Sequence, residues 1–410
     1  MTKTIGNSSN KFIGNSAIYL GSNILNAAIP FLLLPILTRY LTVEEYGSIA
    51  MFTTLVGALS AFVGVNVVGA ANRKYYDNEL SRKELGAFIG SCFQIIIVTF
   101  FMVVFTLFFI RRWLEDLTGL SYSWIFLAAL VSMFTMINNL RLGQWQVSEK
   151  AIPYGIFQTL QSSLNLLIAI ILVVFLLKGA EGRLASIVVS FGLFSAVAIY
   201  YLRRGGLLIV GKYSVLNTLE ALKFGIPLIP HIGSIFLISM IDRFVINSKL
   251  GLGEVGIYMV AVQLAGAAGL VFDAINKAFV PWLFRILKDA KNSELKIVVK
   301  NTYIWYLVLM LGTLVAFYIA PVLLLFVVGS AYSDAAKVVG WLIVGQAFGG
   351  MYLMVTNYIF YSKKTIYLSL VSFISGLINV GLLLFFVDAY GIKGAAYSFA
   401  IAMATRFILT

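Results

Sequence analysis

The chain has 410 residues, of which 60% are hydrophobic and only 11% are charged, whereas soluble domains have about 25% charged residues. One cysteine and one histidine exclude a disulfide framework and a metal site built from those residue types. The formal net charge of +13 would suit a nucleic-acid partner only if the basic residues formed a patch. Their placement along the chain indicates a membrane topology instead.

The apolar runs are each about 20 residues or longer, the length that a helix needs to cross a bilayer. Because lipid offers no water to backbone polar groups, such runs predict helices rather than the short alternating strands of a barrel. We therefore predict an all-α, polytopic integral membrane protein of about twelve spans. They lie near residues 12–37, 45–70, 85–110, 121–146, 152–177, 184–202, 224–247, 254–278, 300–327, 335–361, 365–387 and 391–409.

The connections between these spans alternate in charge. The N-terminus and every second connection carry a large excess of Lys and Arg over Asp and Glu, whereas the opposite connections are balanced. Since basic residues are enriched in cytoplasmic loops, the pattern places both termini in the cytoplasm. The net positive charge is interpreted as a topology signal, and nucleic acid is not an expected partner.

The two halves of the chain resemble each other. LTVEEYG at 41–47 aligns with LGLGEVG at 250–256, matching Gly47 with Gly256 just inside a span of each half. Further matches at a similar separation precede the last span of each half. These repeats predict two six-helix bundles, residues 1–216 and 217–410, related by an axis along the membrane normal and enclosing a central cavity.

The first span of each half carries two prolines, Pro30 and Pro35, then Pro227 and Pro230. Proline removes a helical hydrogen bond and clashes with the preceding turn, so these helices should kink. The kinks are interpreted either as static bends or as bending gate helices at the mouth of the cavity.

Polar residues inside spans are the candidates for function, because a charge at mid-membrane costs about 2.5–3.5 kcal/mol. Arg141 and Asn138 lie in the fourth span, Arg73 ends the second, and His231 lies two turns into the seventh. Each could line the cavity and bind the substrate. The structural alternatives are contact with lipid headgroups for the arginines and a packed, hydrogen-bonded side chain for the histidine.

Two acidic residues also lie in or at the edge of spans. Asp273 and Lys277 are four residues apart, which places them on one helical face as an ion pair. This pair either is buried and structural or lines the cavity. Asp242 and Arg243 are adjacent near the outer end of the seventh span and should not face each other on a helix. They either anchor the span at the interface or, in the case of Asp242, bind and release a proton.

The basic candidates lie mostly in the cytoplasmic half, which favours an anionic substrate. The motifs of ATP-driven motors, zinc hydrolases and serine hydrolases are absent from the sequence. We therefore expect a carrier without a cofactor rather than an enzyme.

Three segments resemble a known family: ILTRYLTVEEYGSIA (36–50), IDRFVINSKLGLGEVGIYMVA (241–261) and GIKGAAYS (391–398). They are similar to the Wzx-type polysaccharide-repeat flippases of the multidrug/oligosaccharidyl-lipid/polysaccharide (MOP) exporter superfamily. The resemblance implies that an undecaprenyl-diphosphate-linked oligosaccharide moves from the cytoplasmic to the outer leaflet of the bacterial inner membrane, for O-antigen or capsule assembly. It also implies alternating access between the bundles, driven by an ion gradient.

The partners that this resemblance implies are the lipid-linked oligosaccharide, membrane lipids, a polysaccharide polymerase and a chain-length regulator. Cavity residues vary within the family, so only Asp242 and Arg243, which lie inside a matching motif, carry over as ion-coupling candidates. Two alternatives remain. A cation-coupled multidrug antiporter of the same superfamily would need an acidic cavity, and a membrane-bound polymerase or glycosyltransferase would need a large outer loop.

Overall fold

The computed structural model describes residues 2–77, 80–209, 211, 214–289, 292–362, 364 and 366–410; within these ranges it leaves undescribed the side chains of 2–17, 20, 231, 278, 289 and 292–295. The described chain is almost entirely helical and contains no strand, which confirms the all-α prediction. The helices are α1 (Thr2–Tyr40), α2 (Val43–Phe62), α3 (Val67–Lys74), α4 (Arg82–Thr118), α5 (Tyr122–Val147), α6 (Ala151–Ile170), α7 (Gly179–Arg204), α8 (Val215–Gly225), α9 (Ile229–Ser239), α10 (Ile241–Leu250), α11 (Leu252–Asp289), α12 (Asn292–Val327), α13 (Ala336–Tyr361), α14 (Ile366–Tyr390) and α15 (Ile392–Leu409). Among the described residues, 11 helices are long and apolar enough to cross a membrane, or 12 if α2 and α3 form one span.

The second predicted span is bent rather than straight. Its parts α2 and α3 meet at an angle of 54°, because Gly64, Val65 and Asn66 all have positive φ (84°, 45° and 54°). A right-handed helix cannot continue through left-handed backbone. The free amide at the break is satisfied, since the Gly64 N–H donates to Thr99 Oγ1 at 2.8 Å.

The seventh predicted span, 224–247, is broken twice. A short 3₁₀ turn, Ile226–Leu228, contains Pro227, and Met240 separates α9 from α10 with φ −137° and ψ −21°. By contrast, α1 continues through Pro30 and Pro35. The gating role of these prolines stays a prediction.

The helices form two compact units. Unit 1 contains residues 1–41 and 51–232, and unit 2 contains residues 42–50 and 233–410. The sequence-based boundary between residues 216 and 217 stays a prediction.

In unit 2, α13 packs against α11, α12 and α15 through glycines that admit aromatic rings. A Cβ at any of three glycines of α13 would lie within 3 Å of a phenylalanine side chain, so the helices can pack this closely only because glycine has no side chain. Gly340 receives Phe317 of α12, Gly345 receives Phe399 of α15, and Gly350 receives Phe272 of α11.

The first residues of α2 belong to unit 2 because they cross the first turns of α11. A Cβ at Gly47 would lie 2.8 Å from the Leu252 carbonyl carbon, and a Cβ at Gly256 would lie 3.0 Å from the Val43 carbonyl carbon. The two glycines that the internal repeat matches therefore pack directly against each other. Only glycine permits backbones to come this close.

Candidate functional site

The ends of several helices of unit 1 surround a pocket of about 520 Å³. Here α3, α5 and α7 end, and α4 and α6 begin. We call this the basic pocket. It is lined by Tyr75, Leu80, Arg82, Leu85, Arg141, Gln144, Ser148, Lys150, Gly205 and Leu207.

The start of α4 is fastened to the end of α7 at the edge of this pocket. The Arg82 guanidinium donates to the Gly205 carbonyl from Nε at 2.9 Å and from Nη2 at 2.6 Å. Ser81 and Glu84 form a capping box that fixes the first turn of α4. Arg82 is thus held by backbone contacts, while its charge has no acidic partner among the described residues.

Arg141 lies deeper, on α5, and is only 6% exposed. Its Cζ lies 4.0 Å from the centroid of the Trp145 ring, one helical turn away, in a cation–π contact. Its Nε atom is buried without a hydrogen-bond partner, and no described acidic residue pairs with it. A buried and unpaired charge is costly, so an anion entering the pocket would recover part of that cost.

The next polar side chain on the same wall is Gln144, which is 2% exposed. Its Nε2 donates to the Ala71 carbonyl at 3.1 Å, which ties α5 to α3. Its Oε1 is buried and has no partner within the described structure. The amide can therefore accept a hydrogen bond from a hydroxyl group of a ligand.

The lining of the pocket is strongly positive. It includes three cations, Arg82, Arg141 and Lys150, and none of the described residues that line it is Asp or Glu. Arg82 and Lys150 are exposed at the mouth, whereas Arg141 is buried. This order, from an exposed basic mouth to a buried arginine, suits a multiply charged anion such as a phosphate or diphosphate.

The structure places the other predicted residues of unit 1 elsewhere. Asn138 is 2% exposed and lies between helices, where it accepts from Ser195 Oγ at 3.1 Å and thereby joins α5 to α7. Arg73 is exposed, with its Cζ 5.8 Å from the Phe224 ring. Neither residue lines the basic pocket. The substrate-binding roles of both stay predictions.

The prediction that Asp242 and Arg243 cannot face each other is wrong. Arg243 Nη1 lies 2.8 Å from Asp242 Oδ1, and Tyr258 OH donates to Asp242 Oδ2 at 2.7 Å. Both residues lie in the first turn of α10, which begins directly after the break at Met240, and there Asp242 Oδ1 also accepts from the Arg243 N–H at 2.9 Å. The break leaves the Ser239 carbonyl free to accept from the folded-back Arg243 guanidinium.

The predicted pair of Asp273 and Lys277 is confirmed, with Lys277 Nζ 2.6 Å from Asp273 Oδ2. The two side chains are 48% and 60% exposed respectively, so the interpretation as a buried pair is wrong. The side chain of His231 lies outside the described residues.

Two functional candidates, Arg82 and Lys150, escaped the sequence analysis. Both lie in connections whose positive charge was explained by topology alone. No local pattern distinguishes a headgroup-facing basic residue from one that lines a pocket, so the sequence held no signal for either.

The chain is similar to known proteins in sequence and in fold. A family model described as polysaccharide biosynthesis protein matches residues 12–287. The chain belongs to this family.

Two further proteins match most of the chain. It is 27% identical over 379 residues to a protein of the Lsg locus of Haemophilus influenzae, with 90% of each chain covered. It is 23% identical over 317 residues to the capsular polysaccharide biosynthesis protein CapF of Staphylococcus aureus, with 76% of each chain covered.

Solved structures share the fold at 16% identity. The lipid II flippase MurJ in an inward closed conformation gives a TM-score of 0.75, covering 97% of this chain and 86% of that chain. An inward-facing multidrug resistance MATE family transporter of the MOP superfamily gives 0.66, covering 93% and 92%. These likenesses show that the chain has the fold of these transporters, and the family match confirms the predicted likeness to polysaccharide biosynthesis proteins.

Proposed function

We propose that the protein is a flippase that moves an undecaprenyl-diphosphate-linked oligosaccharide from the cytoplasmic to the outer leaflet of the bacterial inner membrane. Membership of the polysaccharide biosynthesis family and the transporter fold support a carrier for polysaccharide assembly. Transport proceeds by alternating access, and both termini lie in the cytoplasm, as the charge alternation favours.

The observation that carries the proposal is the unpaired, buried Arg141 beside Arg82 and Lys150. A diphosphate carries at least two negative charges and several acceptor oxygens, which match three basic side chains that have no acidic partner among the described residues. The planar guanidinium of Arg141 is already oriented by Trp145, so it loses little conformational freedom on binding.

The acidic residues of the predicted spans disfavour a drug/cation antiporter. Such a carrier needs a carboxylate that is free to bind a cationic substrate, yet both acidic candidates are engaged by other side chains. Asp242 is held by Arg243 and Tyr258, and Asp273 is paired with Lys277.

Ion coupling is assigned to the Asp242 cluster in unit 2. Asp242 and Arg243 are 3% and 6% exposed and border a cavity of about 190 Å³ that also includes Gln346. Protonation of Asp242 would weaken its bonds to Arg243 and Tyr258 and release the arginine. An ion gradient could therefore drive transport by changing the protonation state of Asp242.

The proposal is tested with purified protein in liposomes that contain an undecaprenyl-diphosphate-linked sugar. Transport is measured as the fraction of sugar that becomes accessible to a modifying enzyme on the opposite side. Arg141→Ala should lower the initial rate by about tenfold or more, because a charge-assisted hydrogen bond contributes about 1.5–3 kcal/mol.

The matched control is Arg204→Ala. Arg204 lies at the same end of unit 1, is exposed, and does not line the basic pocket. A normal rate for Arg141→Ala, or an equal loss in both variants, would remove the anion site from the mechanism. Absence of transport by the wild-type protein would refute the flippase assignment itself.

A further inference from the structure

A second pocket, of about 280 Å³, lies within unit 2 between α11, α12 and α13. We call it the aromatic pocket. It is lined by Ile275, Phe279, Trp282, Asn301, Thr302, Trp305 and Met354. None of these residues was singled out by the sequence analysis.

The helical periodicity explains why these side chains converge. Ile275, Phe279 and Trp282 follow the spacing of four and three residues that defines one face of α11. Asn301, Thr302 and Trp305 share a face of α12 for the same reason. The pocket is therefore a groove between two long helices, with Met354 of α13 as part of its wall.

Aromatic rings provide most of its surface. The Phe279 and Trp282 rings lie 5.4 Å apart at an interplanar angle of 40°, and Trp305 contributes an indole from α12. The faces of such rings carry partial negative charge and attract the positively polarised C–H groups of a ligand.

Two of the three polar side chains in the pocket lack hydrogen-bond partners among the described residues. Trp305 Nε1 is buried and donates to no described group, and the Asn301 amide forms no hydrogen bond with another described residue. Thr302 Oγ1 is satisfied through the Val298 carbonyl at 2.9 Å. Unmet donors at a helix surface in a membrane protein are unfavourable, so a hydroxyl-bearing ligand would be stabilised there.

The charge of the aromatic pocket differs from that of the basic pocket. None of the described residues that line it is Lys, Arg, Asp or Glu. The Asp273–Lys277 pair on the same helix is self-neutralising. A phosphate-bearing lipid headgroup would find no counter-ion, so the lining favours a neutral ligand.

From these observations we infer that the aromatic pocket binds a sugar ring of the lipid-linked oligosaccharide. A pyranose combines an apolar C–H face, which stacks on Trp282 or Trp305, with hydroxyl groups that pair with Asn301 and the Trp305 indole. The inference rests on the proposed function and assigns a sugar subsite to unit 2.

The test measures the affinity of the purified protein in nanodiscs for two lipids, undecaprenyl diphosphate and undecaprenyl diphosphate-N-acetylglucosamine. The wild-type protein should bind the sugar-bearing lipid more tightly. Trp282→Ala should lower that affinity about tenfold, equivalent to about 1.4 kcal/mol, and leave the affinity for the bare lipid unchanged.

Two further variants keep the test independent of folding. Asn301 is exposed, so Asn301→Ala should fold and should selectively weaken binding of the sugar-bearing lipid. Trp305→Phe retains a ring but removes the indole donor, and should lose less than Trp282→Ala. Trp113→Ala, on a residue 61% exposed on α4, is the matched control and should change neither affinity.

The outcomes separate the two proposals. If the wild-type protein shows no preference for the sugar, or if Trp282→Ala and Asn301→Ala retain that preference, the sugar subsite is refuted. Equal weakening for both lipids would also refute it, because the pocket would then bind a part that both share. In each of these cases the proposed function stands as long as Arg141→Ala weakens binding of both lipids. Failure of the wild-type protein to bind either lipid would overturn both proposals.

Discussion

Replacing Gly47 by alanine would place a methyl group where the backbone of α11 already lies. The new Cβ would be 2.8 Å from the Leu252 carbonyl carbon and 3.2 Å from the Gly256 nitrogen, and closer still to the Leu252 oxygen. Carbon atoms in favourable contact are about 3.5–4.0 Å apart. The helices must therefore separate by roughly 1 Å, since no flexible side chain can move aside.

The expected cost follows from two opposing effects. Overpacking of a tight contact costs about 1–3 kcal/mol, and a clash with rigid backbone belongs at the upper end. Alanine regains about 0.8–1.0 kcal/mol through its higher helix propensity. We expect Gly47→Ala to lower the free energy of unfolding by about 2 kcal/mol.

The assay is denaturant unfolding in detergent micelles, followed by circular dichroism. Gly256→Ala should cost a similar amount, because its Cβ would lie 2.9 Å from the Gly47 nitrogen. The double variant should cost less than the sum, since the separation that one methyl group causes also accommodates the other.

The control is Gly266→Ala on the same helix α11, where a Cβ would meet nothing within 4 Å. This variant should be neutral or slightly more stable than the wild-type protein. Equal stability of Gly47→Ala and Gly266→Ala would refute the close crossing of α2 and α11. Strict additivity in the double variant would contradict the shared contact.

The remaining predictions concern charged and buried polar groups. Asp242→Asn cannot ionise and should make transport less dependent on the ion gradient; unchanged dependence in flux assays at varied gradients would leave Asp242 a structural residue. Tyr258→Phe removes the hydroxyl that donates to Asp242 and should lower the free energy of unfolding by about 1–3 kcal/mol, measured by the same denaturant titration; a stability equal to that of the wild-type protein would speak against the cluster. Lys277→Ala frees the Asp273 carboxylate and should slow transport of the anionic lipid at normal membrane levels, as Arg141→Ala does. If both Lys277→Ala and Arg141→Ala transport at the full rate, basic side chains do not bind the anionic lipid during transport.

Residue spacing on a helix correctly predicted one of the two ion pairs. The pair of Asp273 and Lys277 follows from a spacing of four residues, and the structure contains it. The same rules failed at Asp242 and Arg243, which lie in the first turn of α10 after a break at Met240 that the apolar pattern of the seventh span does not show. Rules for the interior of a helix are therefore poor guides at a helix end that the sequence does not reveal.

The candidate site was only partly predictable. Arg141 was recognisable because a charge inside an apolar run needs a reason. Arg82 and Lys150 were not, since they reach the same pocket from connections that are far apart in sequence. Convergence of helix ends depends on packing, and periodicity carries no information about it.

The sequence by itself determined the helical class and the approximate number of spans, because a bilayer permits few structures and each needs a long apolar run. It also matched Gly47 with Gly256 as repeat partners. Only the tertiary structure showed that these glycines touch, that α3 is bent away from α2, and that Arg141 is buried with no acidic partner in the described part of the chain. These features arise from contacts between distant segments, and hydrophobicity fixes which residues enter the membrane but not which neighbours they meet there.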